Sequence, residues 1–222
     1  MYATVLGIAV VFPIIFSFEK SIFYFKKWKY LSLGFATISV FFILWDIIFT
    51  TNNIWSFNQN YITNIKIFNV PIEEILFFFV VPFCCVFIYE NVKFFIKLKY
   101  IIVNIYYSII PFFILILVAF FYKNLYYTYA VFVLAGITYF LLSRTIFWGY
   151  VLITYIVHLI PFMIMNGVLT SLPIVIYDND YNLNIRVLTI PIEDFLYSFV
   201  LMGLHIICYE YSQIKNKIWQ KR

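Results

Sequence analysis

Only ten acidic residues occur in 222, and four of them come in duplicate. Pro71-Ile72-Glu73-Glu74 and Pro191-Ile192-Glu193-Asp194 each open a long apolar run. Paired carboxyls suit general acid and base chemistry, because one form gives a proton and the other takes it. Each pair falls in a first helical turn, after a proline expected at N1. First-turn acids also complement the helix dipole, so one copy alone would decide little. Two copies in equivalent places point to function. The first acid is identical in both copies while the second varies, which ranks Glu73 and Glu193 ahead of Glu74 and Asp194. Asp46 is a fifth acid inside an apolar run, where acids are costly and functional by default. The helix N-terminus favours the carboxylate, whereas desolvation and crowding favour the protonated acid. With so many carboxyls together, at least one is expected to keep a proton and serve as general acid.

The elements that hold these acids are apolar. Hydrophobic residues make up 65% and charged residues 11%, against about 25% charged in soluble domains. That excludes a soluble enzyme, a disordered tail and a nucleic-acid-binding domain. The 24% of aromatic residues is read mainly as packing and lipid-facing surface. A spanning helix needs about 20 apolar residues, and the runs read as Tyr2–Phe18, Tyr30–Thr50, Val70–Tyr89, Tyr100–Tyr122, Leu125–Leu142, Ile146–Leu172 and Val187–Tyr209. The expected fold is all-α: a polytopic membrane protein of about seven spans. Of the 15 basic residues, 12 fall on one side of this arrangement. Lys66, Lys123 and Arg186 fall on the other. The positive-inside rule then predicts an outer N-terminus and a cytoplasmic C-terminus. The first run precedes its basic cluster and is read as a span, not a cleaved signal.

The chain repeats itself at an offset of 120 residues. Tyr61–Glu90 and Tyr181–Glu210 share eleven of 30 positions without a gap, the mark of an internal repeat. Asp46 aligns with Asn166, and Lys66 with Arg186. This divides the chain into a three-helix unit at 1–99, a linker helix at 100–122 and a second unit at 123–222. The units should be related by a pseudo-two-fold axis along the membrane normal. Lys66 and Arg186 either partner an acid or anchor at the interface. His158 and His205 are read as packing residues. The repeated Tyr89-Glu90 and Tyr209-Glu210 are read as interfacial tyrosines beside loop-facing glutamates. No nucleotide-binding glycine motif and no metal-ligand spacing appear, so neither cofactor nor metal is expected.

The doubled PIEE and PIEDF.Y motifs in small hydrophobic units resemble the heterodimeric-type lycopene cyclases, here with both units fused. Glu73, Glu74, Glu193, Asp194, Phe195 and Tyr197 match the motifs, and the Asp46–Thr50 and Asn166–Thr170 segments also fit. The resemblance implies a redox-neutral isomerisation of lycopene into a ring-ended carotenoid by an enzyme of the lycopene β-cyclase type. The choice between a β and an ε ring stays open, because it depends on which proton leaves. Its partners would be lycopene or a related linear carotenoid and the lipid bilayer, with no nucleic acid. Glu73, Glu74, Glu193 and Asp194 would be catalytic. Asp46, Asn166, Phe77, Phe195 and Tyr197 would contact substrate. Phe78 and Trp45 are further aromatic candidates for shielding a cation. A carboxylate-based transporter with repeat symmetry is the alternative that uses the same acids.

Overall fold

A computed structural model describes residues 1–98 and 103–219. Lys99, Tyr100, Lys221 and Arg222, and the side chain of Lys217, lie outside the described residues. The expected start of the fourth span and the boundary between the first unit and the linker fall there too.

Seven helices make up the described fold: α1 (Tyr2–Phe16), α2 (Tyr24–Thr51), α3 (Ile72–Phe95), α4 (Ile105–Phe121), α5 (Tyr126–Ser143), α6 (Trp148–Ser171) and α7 (Ile192–Trp219). Five of them, α2, α3, α5, α6 and α7, are long and apolar enough to cross a membrane. The other two, α1 and α4, are apolar but shorter. An outward belt of exposed side chains, including Ile8, Phe113, Leu117 and Ile160, is compatible with a multi-pass membrane protein. A belt of that kind is rare on soluble monomers.

Six short strands accompany the helices: β1 (Trp55–Phe57), β2 (Lys66–Ile67), β3 (Val70–Pro71), β4 (Val175–Tyr177), β5 (Arg186–Val187) and β6 (Ile190–Pro191). The sequence assigns residues from Val70 and from Val187 to spans. Instead each stretch closes a small hairpin, β2 with β3 and β5 with β6. Phe68 and Asn69 turn the first hairpin with φ of 48° and 68°, as a two-residue type I′ turn requires. Two-residue strands carry no alternation that a sequence could display. Pro71, at φ −66° and ψ 148°, is the extended N-cap of α3 and not its first helical residue. The amide of Ile72 donates to Ile65 O, and that of Ile192 donates to Ile185 O, both over 3.0 Å. Both hairpins thus satisfy an amide at a helix start that would otherwise lack a partner.

Positions 120 apart face each other at both ends of the molecule. In the antiparallel pair of β1 and β4, Ser56 lies opposite Ile176, flanked by Trp55 opposite Tyr177 and Phe57 opposite Val175. Exchanging each residue for the one 120 positions away in the other strand reproduces the same register, as a local two-fold axis demands. At the far end, Tyr89 donates to Glu210 and Tyr209 donates to Glu90, each over 2.8 Å. Glu90 is buried and also pairs with Lys27 and Lys93, while Lys93 bridges to Glu210. These glutamates do not face a loop as expected. They cross-link the two halves. Between the two ends α3 packs on α7, α6 on α3, and α2 on α7, so each second helix rests on the other half's third helix.

Candidate active site

The four motif acids divide by position within each pair. Glu73 accepts the Thr63 amide at 2.6 Å, and Glu193 accepts the Leu183 amide at 2.7 Å. Thr63 and Leu183 are themselves 120 apart. Glu193 also accepts Thr128 Oγ1 at 2.7 Å. Both first acids are buried and tie the loop before each motif to the helix after it.

The second acids point elsewhere. Glu74 Oε2 accepts the Tyr2 hydroxyl at 2.5 Å. Asp194 Oδ1 accepts the Tyr127 hydroxyl at 2.5 Å, and its Oδ2 accepts Tyr177 at 2.8 Å and Asn166 at 2.7 Å. Among the described residues, Glu74 Oε1 has no hydrogen-bond partner. Burial, and then the neighbouring Asp194, push the Tyr177 hydroxyl well above its ordinary range. Tyr177 therefore remains a phenol donor at any working pH.

Glu74 and Asp194 line one cavity of about 700 Å³ between α1, α3, α6 and α7. Glu73 and Glu193, the pair that identity between the units ranks first, do not line it. From Glu74 to Ile88 the wall follows α3 for about 21 Å at 1.5 Å per residue. The polar groups crowd the strand end, where Asn166, Tyr127, Tyr177 and Trp55 join the two acids. Below them the lining is mainly apolar, with Phe77, Val81 and Met165. Five lining residues also reach the outer surface: Ile8 (72% exposed) and Phe12 (58%) of α1, and Val157 (42%), Pro161 and Ile164 (66%) of α6. The cavity therefore opens sideways between α1 and α6.

The lycopene cyclase family model matches residues 1–92 and 123–212. The chain belongs to the lycopene cyclase family. Membership brings cyclase activity on a carotenoid. Neither a curated protein nor a solved structure matches the chain.

In this cyclase the substrate-contact residues expected from sequence separate into two groups. Phe77, Tyr197 and Asn166 line the cavity. Asp46 and Phe195 are outside the lining. Asp46 is buried and accepts Trp55 Nε1 at 2.7 Å. The Phe195 ring lies 5.0 Å from that of Phe162, which does line the cavity. Trp45 and Phe78 are core residues. His205 links Ser39 and the Leu201 carbonyl, in keeping with a packing role. His158 lines the cavity and leaves Nδ1 without a partner among the described residues. Lys66 and Arg186 form no ion pair among those residues. Arg186 instead donates to Thr189 O and to Asn179, each over 3.0 Å.

Sequence reasoning missed Tyr2, Tyr127, Tyr177 and Trp55. Tyr2 and Tyr127 occupy the same role but are 125 residues apart, so the first helices slip five positions from the repeat register. An aligned tyrosine at the start of each first helix was the available signal, hidden by that slip.

Proposed function

We propose that this chain is a membrane-embedded lycopene β-cyclase that spans the bilayer seven times, with an outer N-terminus and a cytoplasmic C-terminus. Residues 1–99 and 123–222 form its two units, and the segment 100–122 joins them through the linking helix α4 (Ile105–Phe121). The observation that carries the reading is the cavity: an apolar channel, open at the side of the helix bundle, with two carboxyls at one end. An apolar polyene dissolved in the bilayer would enter through such a mouth without crossing water.

Glu74 is the proton donor in this account. One of its oxygens is held by Tyr2, and the other is free to meet substrate. Protonation of the terminal double bond places a tertiary cation on the end group. An internal double bond attacks it and closes a six-membered ring, moving the cation onto the ring. Loss of a proton from the ring carbon that joins the polyene gives the β ring, whose double bond extends the conjugation. One proton enters and one leaves, so no redox partner is needed, and the departing proton can restore Glu74.

Asp194 is the fixed counter-charge. Three donors hold its two oxygens in place, and a preorganised carboxylate stabilises a developing cation without reorganising. The rings of Phe77, Trp55 and Tyr197 present faces that stabilise a cation without trapping it. The mainly apolar walls keep out the water that would turn the cation into an alcohol. Glu73 and Glu193 position the motif helices. Asp46 orients Trp55.

Expression in a lycopene-accumulating host tests the activity. Pigment chromatography should show lycopene replaced by ring-ended products. Unchanged lycopene alongside membrane-inserted protein would refute it.

A further inference from the structure

The repeat offers two places where a polyene end could be held, and side chains fill one of them. In the open half, α6 presents His158, Phe162, Met165 and Leu169 to the cavity. The residues 120 positions earlier, on α2, are Ile38, Phe42, Trp45 and Phe49. Phe42 is wholly buried there. Its ring centroid lies 5.9 Å from both Trp45 and Phe78, stacked on each, and 5.1 Å from Tyr197, edge-on. Ala135, Val200 and Leu201 close around the same ring, with Leu115 of α4 packed behind them.

Two sequence differences and one difference in helix packing account for the asymmetry. Trp45 replaces a flexible methionine with a bulky ring. Ile38 replaces a histidine. The linker helix α4 packs along α5, whereas the equivalent helix α1 keeps Ile8 and Phe12 on the outer surface. Both cavity acids face the open half although one comes from each unit. The two units therefore build one reaction chamber and not two.

We propose that the chain cyclises one end of its substrate per binding event, so that a two-ringed product forms only after the one-ringed intermediate leaves and re-enters reversed. This rests on the cyclase reading above.

The test uses membranes carrying the whole chain at limiting amount, deuterium-labelled lycopene, and a chase of excess unlabelled lycopene. Labelled one-ring product should appear first as free pigment. The chase should cut the later labelled two-ring product at least tenfold, and a product that stops at one ring supports the proposal equally. Labelled two-ring product from the earliest times, with no free one-ring pigment and no effect of the chase, would overturn it. Lycopene left wholly unconverted would instead remove the cyclase reading, and this inference with it. A second arm uses Met165→Trp, which copies the closed half into the open one. Turnover should fall at least tenfold at matched protein level. Undiminished turnover would show that this space is not the chamber.

Discussion

Tyr2 donates its hydroxyl to Glu74 over 2.5 Å, joining the start of the chain to the second acid of the first motif. The bond leaves the other carboxyl oxygen free to meet substrate. It also orients the acid, because a carboxyl held at one oxygen rotates less. Tyr2→Phe removes the donor and keeps the ring. A hydrogen bond to a charged group is worth about 1.5–3 kcal/mol, or about 10–150-fold in rate if it acts in the transition state. Cyclisation by Tyr2→Phe membranes should fall within that range at normal protein abundance. A rate equal to wild type would mean that Tyr2 only packs.

The acid-initiated mechanism makes an isotopic prediction. Membranes assayed in D2O should yield product with one deuterium for each ring formed, since a carboxyl exchanges with solvent between turnovers. Mass spectrometry of the purified pigment reads this directly. Rings without deuterium would indicate that the initiating proton does not come from an exchangeable group.

At the opposite end of α3, Glu90 ties Lys27, Lys93 and Tyr209 together. It stands about 24 Å from Glu74 along the helix at 1.5 Å per residue. Breaking a fully buried ion pair costs about 3–5 kcal/mol. Partial exposure of the two lysines brings the expected cost below that range. Glu90→Gln should lower the unfolding temperature in detergent while activity per folded molecule stays normal. An unchanged melting curve would show that the cross-links between the halves contribute little.

Reporter fusions test the topology. A reporter at the C-terminal tail should be cytoplasmic, and one in the loop around Asn58–Asn60 should lie on the other side. The same compartment for both would contradict the proposed orientation.

The helices were legible because long apolar runs leave little choice of conformation. The motif acids were legible because the repeat printed them twice. What the sequence hid was packing. Short strands such as Trp55–Phe57 have too few residues to show alternation, so the pairing of β1 with β4 could not be read. The reciprocal bonds of Tyr89 and Tyr209 depend on the two halves crossing, which no local pattern reports. Identity between the units favoured Glu73 and Glu193. In the structure their identity goes with an identical loop contact, to Thr63 and Leu183. Glu74 and Asp194 differ where their surroundings differ, one bonded to a single tyrosine and the other to three donors. Asymmetry between the two half-sites arises from Trp45, Ile38 and α4, and shows only once these are packed.

The central claim is that Glu74 supplies the proton, and one comparison tests it most directly. Gln keeps the shape of Glu but cannot exchange a proton. Lycopene conversion should be timed in membranes with equal amounts of wild type, Glu74→Gln and Glu73→Gln. General acid–base catalysis contributes about 10²–10⁴-fold, and Glu74→Gln should lose at least that much with normal abundance. Glu73→Gln should lose abundance or thermal stability more than it loses rate per molecule. Full-rate cyclisation by Glu74→Gln, or a catalytic loss confined to Glu73→Gln, would contradict the account.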